Sequence, residues 1–352
     1  MKLTVLLNGI DDVPLKDLHE KTPLEVAKTS YLRGDKASEL VDADPKKGAE
    51  GLLFELLGGK TEGLIPRGPL EAYSLGFRLA ENQRAFSARF VSTGEEILVD
   101  AADSLLSREE GRVFCSFLNS AISKKGWTFL PFQGPQSVLI LQLDQEDDNT
   151  FHNNVGENPV DWMGRDWLGV SPVKSEPFLA ILKEIKSMLA GHEVNQLREE
   201  WEMRPVNGVI MTDGGGAKDL PKPIGNNRVF LYTGTASFIG LAKAAGIGYQ
   251  QIPLEAKKFA SLPGLMDQVM NKAVELGESG EVVWDVPYLW QSTYKGDLLE
   301  KIKTIEWLDR NLIEPMSVKA KELGVKMEVG GLARCDIRTG RLTEGSVHRW
   351  RF

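Results

Sequence analysis

Four histidines, His19, His152, His192 and His348, are the whole supply of imidazole in this chain. None stands in an Asp-His dipeptide, an HxxxH or HExxH pair, or an HxD spacing that would aim two ligands at one metal. Cys115 and Cys335 are far apart with no CxxC, which fits a reducing compartment and excludes a thiolate zinc cluster. Among the carboxylates, Asp11 and Asp12 follow the first apolar run and could offer a hard-cation site for Mg or Mn, or serve as turn residues. Asp213, Asp285 and Asp297 are further carboxylates to which a metal could turn. Asp213 also precedes Gly214, Gly215 and Gly216, whose amides could cradle an anion or form a plain flexible loop. No GxGxxG and no Walker lysine accompany them, which argues against a nucleotide site. Arg67 has the planar fork that suits a phosphate or a carboxylate, and it could equally pair with Glu71 one turn later. His152 could donate to a phosphate oxygen or cap a loop.

These residues must be carried by an α/β framework. Short runs rich in Val, Ile and Leu alternate with segments of helical period, the pattern of a sheet covered by helices. Strands are expected at Leu3 to Leu7, Val138 to Leu143, Val206 to Met211, Val229 to Tyr232, Val282 to Val286 and Val325 to Val329. A core-facing helix is expected from Glu176 to Leu189, where Phe178, Ile181, Leu182, Ile185, Met188 and Leu189 recur and Gly191 stops it. A second opens near Gly296 and carries Leu298, Leu299, Ile302, Ile305 and Leu308. Between Arg84 and Asp148 the character changes: Phe86, Ala88 and Phe90 alternate, a turn follows, then Ile97 to Val99 and a helix after Ser107. The expected division is 1–85 and 151–352 for the core, with a small α+β insertion at 86–150.

With 352 residues, 42% hydrophobic and 26% charged, the chain has the composition of a folded globular protein. Its net charge of -8 disfavours a nucleic-acid or anionic-membrane surface, since both depend on clustered Lys and Arg. A local basic excess, Arg334, Arg338, Arg341, His348, Arg349 and Arg351, reads as a solvated terminal segment. The apolar run after Lys2 is too short for a signal peptide and no run reaches eighteen apolar residues, so a cytoplasmic protein is expected. The tryptophans Trp162, Trp167, Trp201, Trp284, Trp290, Trp307 and Trp350 should be mostly core, with some left for a partner surface.

Five stretches resemble the archaeal-type 2,3-bisphosphoglycerate-independent phosphoglycerate mutase family: Leu7-Asn8-Gly9-Ile10-Asp11-Asp12, Lys21-Thr22-Pro23-Leu24-Glu25-Val26-Ala27-Lys28-Thr29, Leu56-Leu57-Gly58, Arg67-Gly68-Pro69-Leu70-Glu71-Ala72, and Gly296-Asp297. The second and fourth are the specific ones. The resemblance implies an alkaline phosphatase-like core, a mixed and mainly parallel sheet flanked by helices, with a small α+β domain inserted. It also implies two divalent metals, a serine nucleophile at a helix N-terminus and a phosphoglycerate substrate. Two metals clamp a transferring phosphoryl group and ionise the attacking hydroxyl, chemistry that draws on several Asp and His ligands.

Position by position, this chain departs from that pattern. The Asp of the family's LDG motif is Asn8, a neutral and weak ligand. Counting back from Leu56-Leu57-Gly58 puts the family's serine at Ala49, which has no nucleophile. Counting back from Gly296-Asp297 puts the DEAGHDGD ligand pair at Trp290 and Tyr294. The ADH motif falls on Leu332-Ala333, and the last family histidine on Glu344. His152 lies in a stretch similar to the family's DPHxxG. The chain is therefore read as a pseudoenzyme without cofactor that binds a protein partner, an active homologue or a small phosphorylated acid near Arg67. The alternative is a divergent metal-dependent mutase or phosphotransferase interconverting 2- and 3-phosphoglycerate.

Overall fold

The computed structural model describes residues 1–7, 19, 21–32, 38–41, 47–95, 97–100, 106–133, 136–142, 162, 164–252, 262–287, 289, 298–331, 334–335, 342–343 and 347–351. The chain forms two compact units, Met1–Leu64 with Pro221–Phe352, and Ile65–Leu220. The second unit is wider than the insertion expected at 86–150. The helix-strand segments on both sides of that span pair and pack with it.

The first unit opens with β1 (Lys2–Leu7), α1 (Pro23–Val26), β2 (Ser38–Val41) and α2 (Gly48–Leu56). After the insertion it resumes with β8 (Val229–Thr233), α7 (Ala236–Ala245), β9 (Gly248–Gln251), α8 (Leu262–Glu275) and β10 (Glu281–Val286). It ends with α9 (Leu298–Leu308), a π-helical turn Asp309–Ile313, α10 (Glu314–Leu323), β11 (Lys326–Gly331), the short strands β12 (Arg334–Cys335) and β13 (Leu342–Thr343), and β14 (Val347–Arg351). Seven strands line up as β2-β14-β11-β1-β10-β8-β9. Strands β1, β8, β9, β10 and β11 run parallel, and β14 runs antiparallel between β11 and β2.

Strand β1 is central, with Val5 opposite Trp284 on one side and Val329 on the other. A strand covered on both faces has no use for alternation, and Leu3-Thr4-Val5-Leu6-Leu7 is buried throughout. One face, with Leu3, Val5, Leu7 and Trp284, packs with Met270, Ile305, Leu312 and Met316 from α8, α9, the π turn and α10. Helix α9 buries Ile305 and Leu308 but leaves Leu299 62% exposed, so one residue expected in the core faces out.

The KTPLE segment has a local physical reason. Thr22 caps α1 by accepting the Glu25 amide at 3.2 Å, while the Glu25 carboxylate accepts the Thr22 amide at 2.6 Å, with Pro23 in the first turn. The chain beyond is pinned by acids of α9 and the π turn: Glu306 accepts the Lys28 amide, and Asp309 accepts those of Ser30, Tyr31 and Leu32.

The second unit comprises α3 (Arg67–Ser74), β3 (Gln83–Thr93), β4 (Leu98–Asp100), α4 (Arg108–Ile122), β5 (Trp127–Gln133), β6 (Gln136–Gln142), α5 (Glu176–Ala190), α6 (Glu193–Glu200) and β7 (Gly208–Gly215). Its sheet is antiparallel, with β3 in the middle, joined to β6 on one edge and to β7 and β4 on the other. Phe90 of β3 meets Phe114 of α4 at 5.5 Å and Phe129 of β5 at 6.1 Å between ring centroids, and Trp127 meets Phe178 of α5 at 4.7 Å. Each such aromatic burial contributes on the order of 2 kcal/mol, which makes this a core of its own. Among the described residues, no helix is long and apolar enough to cross a membrane.

Candidate functional site

Open α/β sheets bind ligands at the carboxyl ends of their parallel strands. In the first unit that edge gathers the end of β8, the end of β10 and the N-termini of α2 and α7. Asp285, fully buried on β10, accepts hydrogen bonds on Oδ2 from the hydroxyls of Thr233 and Thr235, each at 2.7 Å. The Thr235 amide donates in turn to Thr233 Oγ1 at 3.0 Å, which closes the turn from β8 into α7. Ser237, in the first turn of α7, donates its hydroxyl to Glu50 Oε1 at 2.9 Å and so ties α7 to α2.

Helix α2 starts at Gly48, whose φ of 62° is open to glycine and strained for most other residues. A side chain there would also meet Leu64 Cδ2 at 2.8 Å. Ala49 follows in the first turn, half-buried, with Glu50 buried next to it. A helix N-terminus is a natural place for an anion or an activated oxygen, but a methyl group can neither attack nor ligate. The chemistry of this edge is hydroxyl donors meeting buried carboxylates.

The remaining positions carrying the departures, Asn8, Trp290, Tyr294, Leu332, Ala333 and Glu344, lie outside the described residues, as do Asp11, Asp12, His152 and Asp297. The resemblance alone assigns these positions, with Ala49, to metal ligands and nucleophile; the set so assigned, Asn, Ala, Trp, Tyr, Leu, Ala and Glu, carries one carboxylate, whereas a two-metal centre draws on several anionic or imidazole donors. Among the described residues, no group of three or more His, Cys, Asp or Glu is disposed to hold a metal ion.

In the second unit the Asp213 glycine run is not a loop after a strand that ends at Met211. Strand β7 continues to Gly215, and its register against β3 shifts between Ala85 and Ser87, so that Asp213 and Gly214 oppose a single residue of β3. Asp213 is buried and adopts a φ of 51° at this bulge. The glycines answer to close packing. A side chain on Gly215 would meet Pro66 and Pro69, one on Gly216 would meet Arg84 Nη1 at 2.8 Å, and the Gly216 amide is taken by Asp219 Oδ2 at 2.7 Å. Arg67, the first residue of α3, has its Nε 4.0 Å from Asp213 Oδ2. The arginine of the RGPLEA segment thus faces a carboxylate of its own unit across the bulge.

Of the tryptophans, Trp162, Trp167 and Trp284 are core, Trp307 is partly buried, Trp201 is exposed, and Trp290 lies outside the described residues. Sequence reasoning missed Glu50, Thr233, Thr235 and Ser237. Their signal was the hydroxyl-rich Thr233-Gly234-Thr235-Ala236-Ser237 between a buried strand and a helix.

A model of the 2,3-bisphosphoglycerate-independent phosphoglycerate mutase family matches residues 47–195. The mutase of that name from Methanothrix thermoacetophila is 23% identical over 338 residues, covering 90% of this chain and 81% of the relative. The one from Methanosarcina barkeri is 25% identical over 337 residues, covering 91% and 82%. The solved structure of the PH0037 protein from Pyrococcus horikoshii superposes with a TM-score of 0.63 at 16% identity, covering 99% of this chain and 86% of that one, and so shares the fold. Motifs, matched residues and relatives covered over about four fifths of their length agree: the chain is similar to the 2,3-bisphosphoglycerate-independent phosphoglycerate mutases.

Proposed function

We propose that this chain is a non-catalytic member of its family that acts by binding rather than by phosphoryl transfer. The observation that carries the reading is Ala49 in the first turn of α2, where the family resemblance puts the serine nucleophile. Without a hydroxyl there is no acceptor for a phosphoryl group and no covalent intermediate. Two further features support it. The buried Asp285 is engaged by threonine hydroxyls, and the positions of the family's metal ligands hold a donor set unsuited to two divalent cations.

The binding role takes no metal cofactor, and its target is a protein partner, an active homologue of this chain, or a small phosphorylated acid near Arg67. A phosphorylated acid at Arg67 would compete with Asp213 for the guanidinium, which favours a protein target. The test is a coupled assay of 2- and 3-phosphoglycerate interconversion with manganese present, run on the native chain and on Ala49→Ser. No turnover is expected from either, because restoring the hydroxyl does not restore the ligands. Chelator-sensitive turnover by the native chain would overturn the reading in favour of a divergent metal-dependent mutase.

A further inference from the structure

Helix α6 ends in an exposed tryptophan, on a backbone that is capped and anchored by buried neighbours. Trp201 is 67% exposed, and Leu197, one turn earlier, is 47% exposed. A single exposed apolar residue is ordinary. Here the four-residue spacing of Glu193, Leu197 and Trp201, with Glu200 three after Leu197, puts an apolar pair and two acids on one helix face. Glu199 and Glu202 are exposed beside it. The one cation between Glu193 and Glu202 is Arg198, which is buried and bonded to Glu110 at 2.9 Å, so it does not offset the acids at the surface.

The platform under this face is rigid. Asn195 is buried and bonds the carbonyls of Leu189 and Val206 through its amide nitrogen, and the Val206 amide through its oxygen. Arg198 Nε holds the Arg204 carbonyl at 2.9 Å. The helix closes with the Glu202 amide on the Glu199 carbonyl and the Met203 amide on the Arg198 carbonyl, the bonding pattern of a Schellman cap. That cap requires a left-handed residue and normally takes glycine, yet Glu202 fills it at a φ of 55°. A strained non-glycine residue is a pointer to function. In this position it sets one more carboxylate beside the tryptophan.

We infer that the Leu197–Trp201 face of α6 is a docking site for a positively charged protein segment, one that presents Lys or Arg side chains around an apolar anchor. The exposed indole, carried on an anchored helix end, supplies a large contact of the kind that dominates binding energy at interfaces. The exposed glutamates on and beside this face supply complementarity to cations and steer the approach. This site is built from residues of the second unit alone and uses none of those at the strand ends of the first unit, so it holds whether or not those are catalytically silent.

The test uses the whole chain and a synthetic amphipathic peptide of lysines and leucines, titrated by calorimetry at low and at high salt. Micromolar binding is expected, weakened at least tenfold by Trp201→Ala and by the double change Glu199→Lys with Glu200→Lys, and weakened by salt. A peptide of glutamates and leucines should not bind. The unfolding midpoint of each variant, expected close to that of the native chain, separates lost docking from lost folding. Lysine-peptide binding that is absent, or that Trp201→Ala leaves unchanged, would overturn the inference. So would concentration-dependent dimerisation abolished by Trp201→Ala, which would make a second copy the occupant.

Discussion

Ser237 donates its hydroxyl to Glu50 at 2.9 Å with both residues buried, and this bond joins the N-termini of the two helices that meet at the strand ends of the first unit. A carboxylate at that depth needs donors to offset its lost hydration. Ser237→Ala removes one. We expect the change to lower stability by about 1–3 kcal/mol, the cost of leaving a buried acceptor short of a partner, seen as a lower denaturant midpoint with unchanged slope.

Gly68 explains why RGPLEA needs its glycine. A Cβ there would lie 2.3 Å from the Ala85 carbonyl oxygen and 2.7 Å from Phe86 Cα, both backbone atoms that cannot turn aside. Helix α3 touches β3 at this point. Gly68→Ala should therefore cost about 3 kcal/mol or more, whereas the same change at Gly63, which has nothing within 4 Å, should cost little by thermal melting.

The ion pair between Arg198 and Glu110 links α6 to the start of α4, where Glu110 also completes a capping box with Ser107. Arg198 is 1% exposed, so truncating Glu110 takes a charge-assisted bond from a buried guanidinium that keeps its other contacts, the Arg204 carbonyl among them. Glu110→Ala is expected to destabilise by roughly 1.5–3 kcal/mol. Ser107→Ala, which removes the cap hydroxyl alone, should cost about 1 kcal/mol, and denaturant titration of the two variants ranks them.

Acid should weaken the fold through Glu110 and Glu328. Burial alone would raise both carboxyls. For Glu110 the Ser107 hydrogen bonds and the Arg198 charge outweigh it, and for Glu328 the hydrogen bonds and charges of Lys326 and Lys2 do, so both lie below the ordinary 4.5. A depressed folded value means stability that is fully present above 4.5 and lost as pH falls through the folded value. The urea midpoint should thus drop below pH 4.5, and Glu328→Gln should make that drop shallower.

Much of this framework was legible because burial leaves a pattern. Strands β1, β8, β10 and β11 are buried apolar runs, and α5 repeats its core residues at helical spacing with Gly191 at its end. Strand β5 was not legible, since Pro131 argues against a strand; it is tolerated because β5, among the described residues, is an edge strand paired with β6 alone. The extent of the second unit was hidden too, because α5, α6 and β7 join it by pairing and packing over long sequence distances. At the candidate site, the motif spacing pointed to Ala49, and the structure has that residue in the first turn of α2. The hydroxyl network on Asp285 and Glu50 could not, since threonine and serine near a helix start read first as caps. Arg67 showed its type but not its neighbour, as nothing in the spacing links it to Asp213.

The most direct test of the central claim is the manganese content of the purified chain after loading and exhaustive buffer exchange, read by elemental mass spectrometry. The account predicts metal at background, since on the proposed reading the positions of the family's ligands no longer supply the donors that two divalent cations draw on. Two manganese ions retained per chain would contradict it and restore a metal-dependent phosphoryl-transfer enzyme.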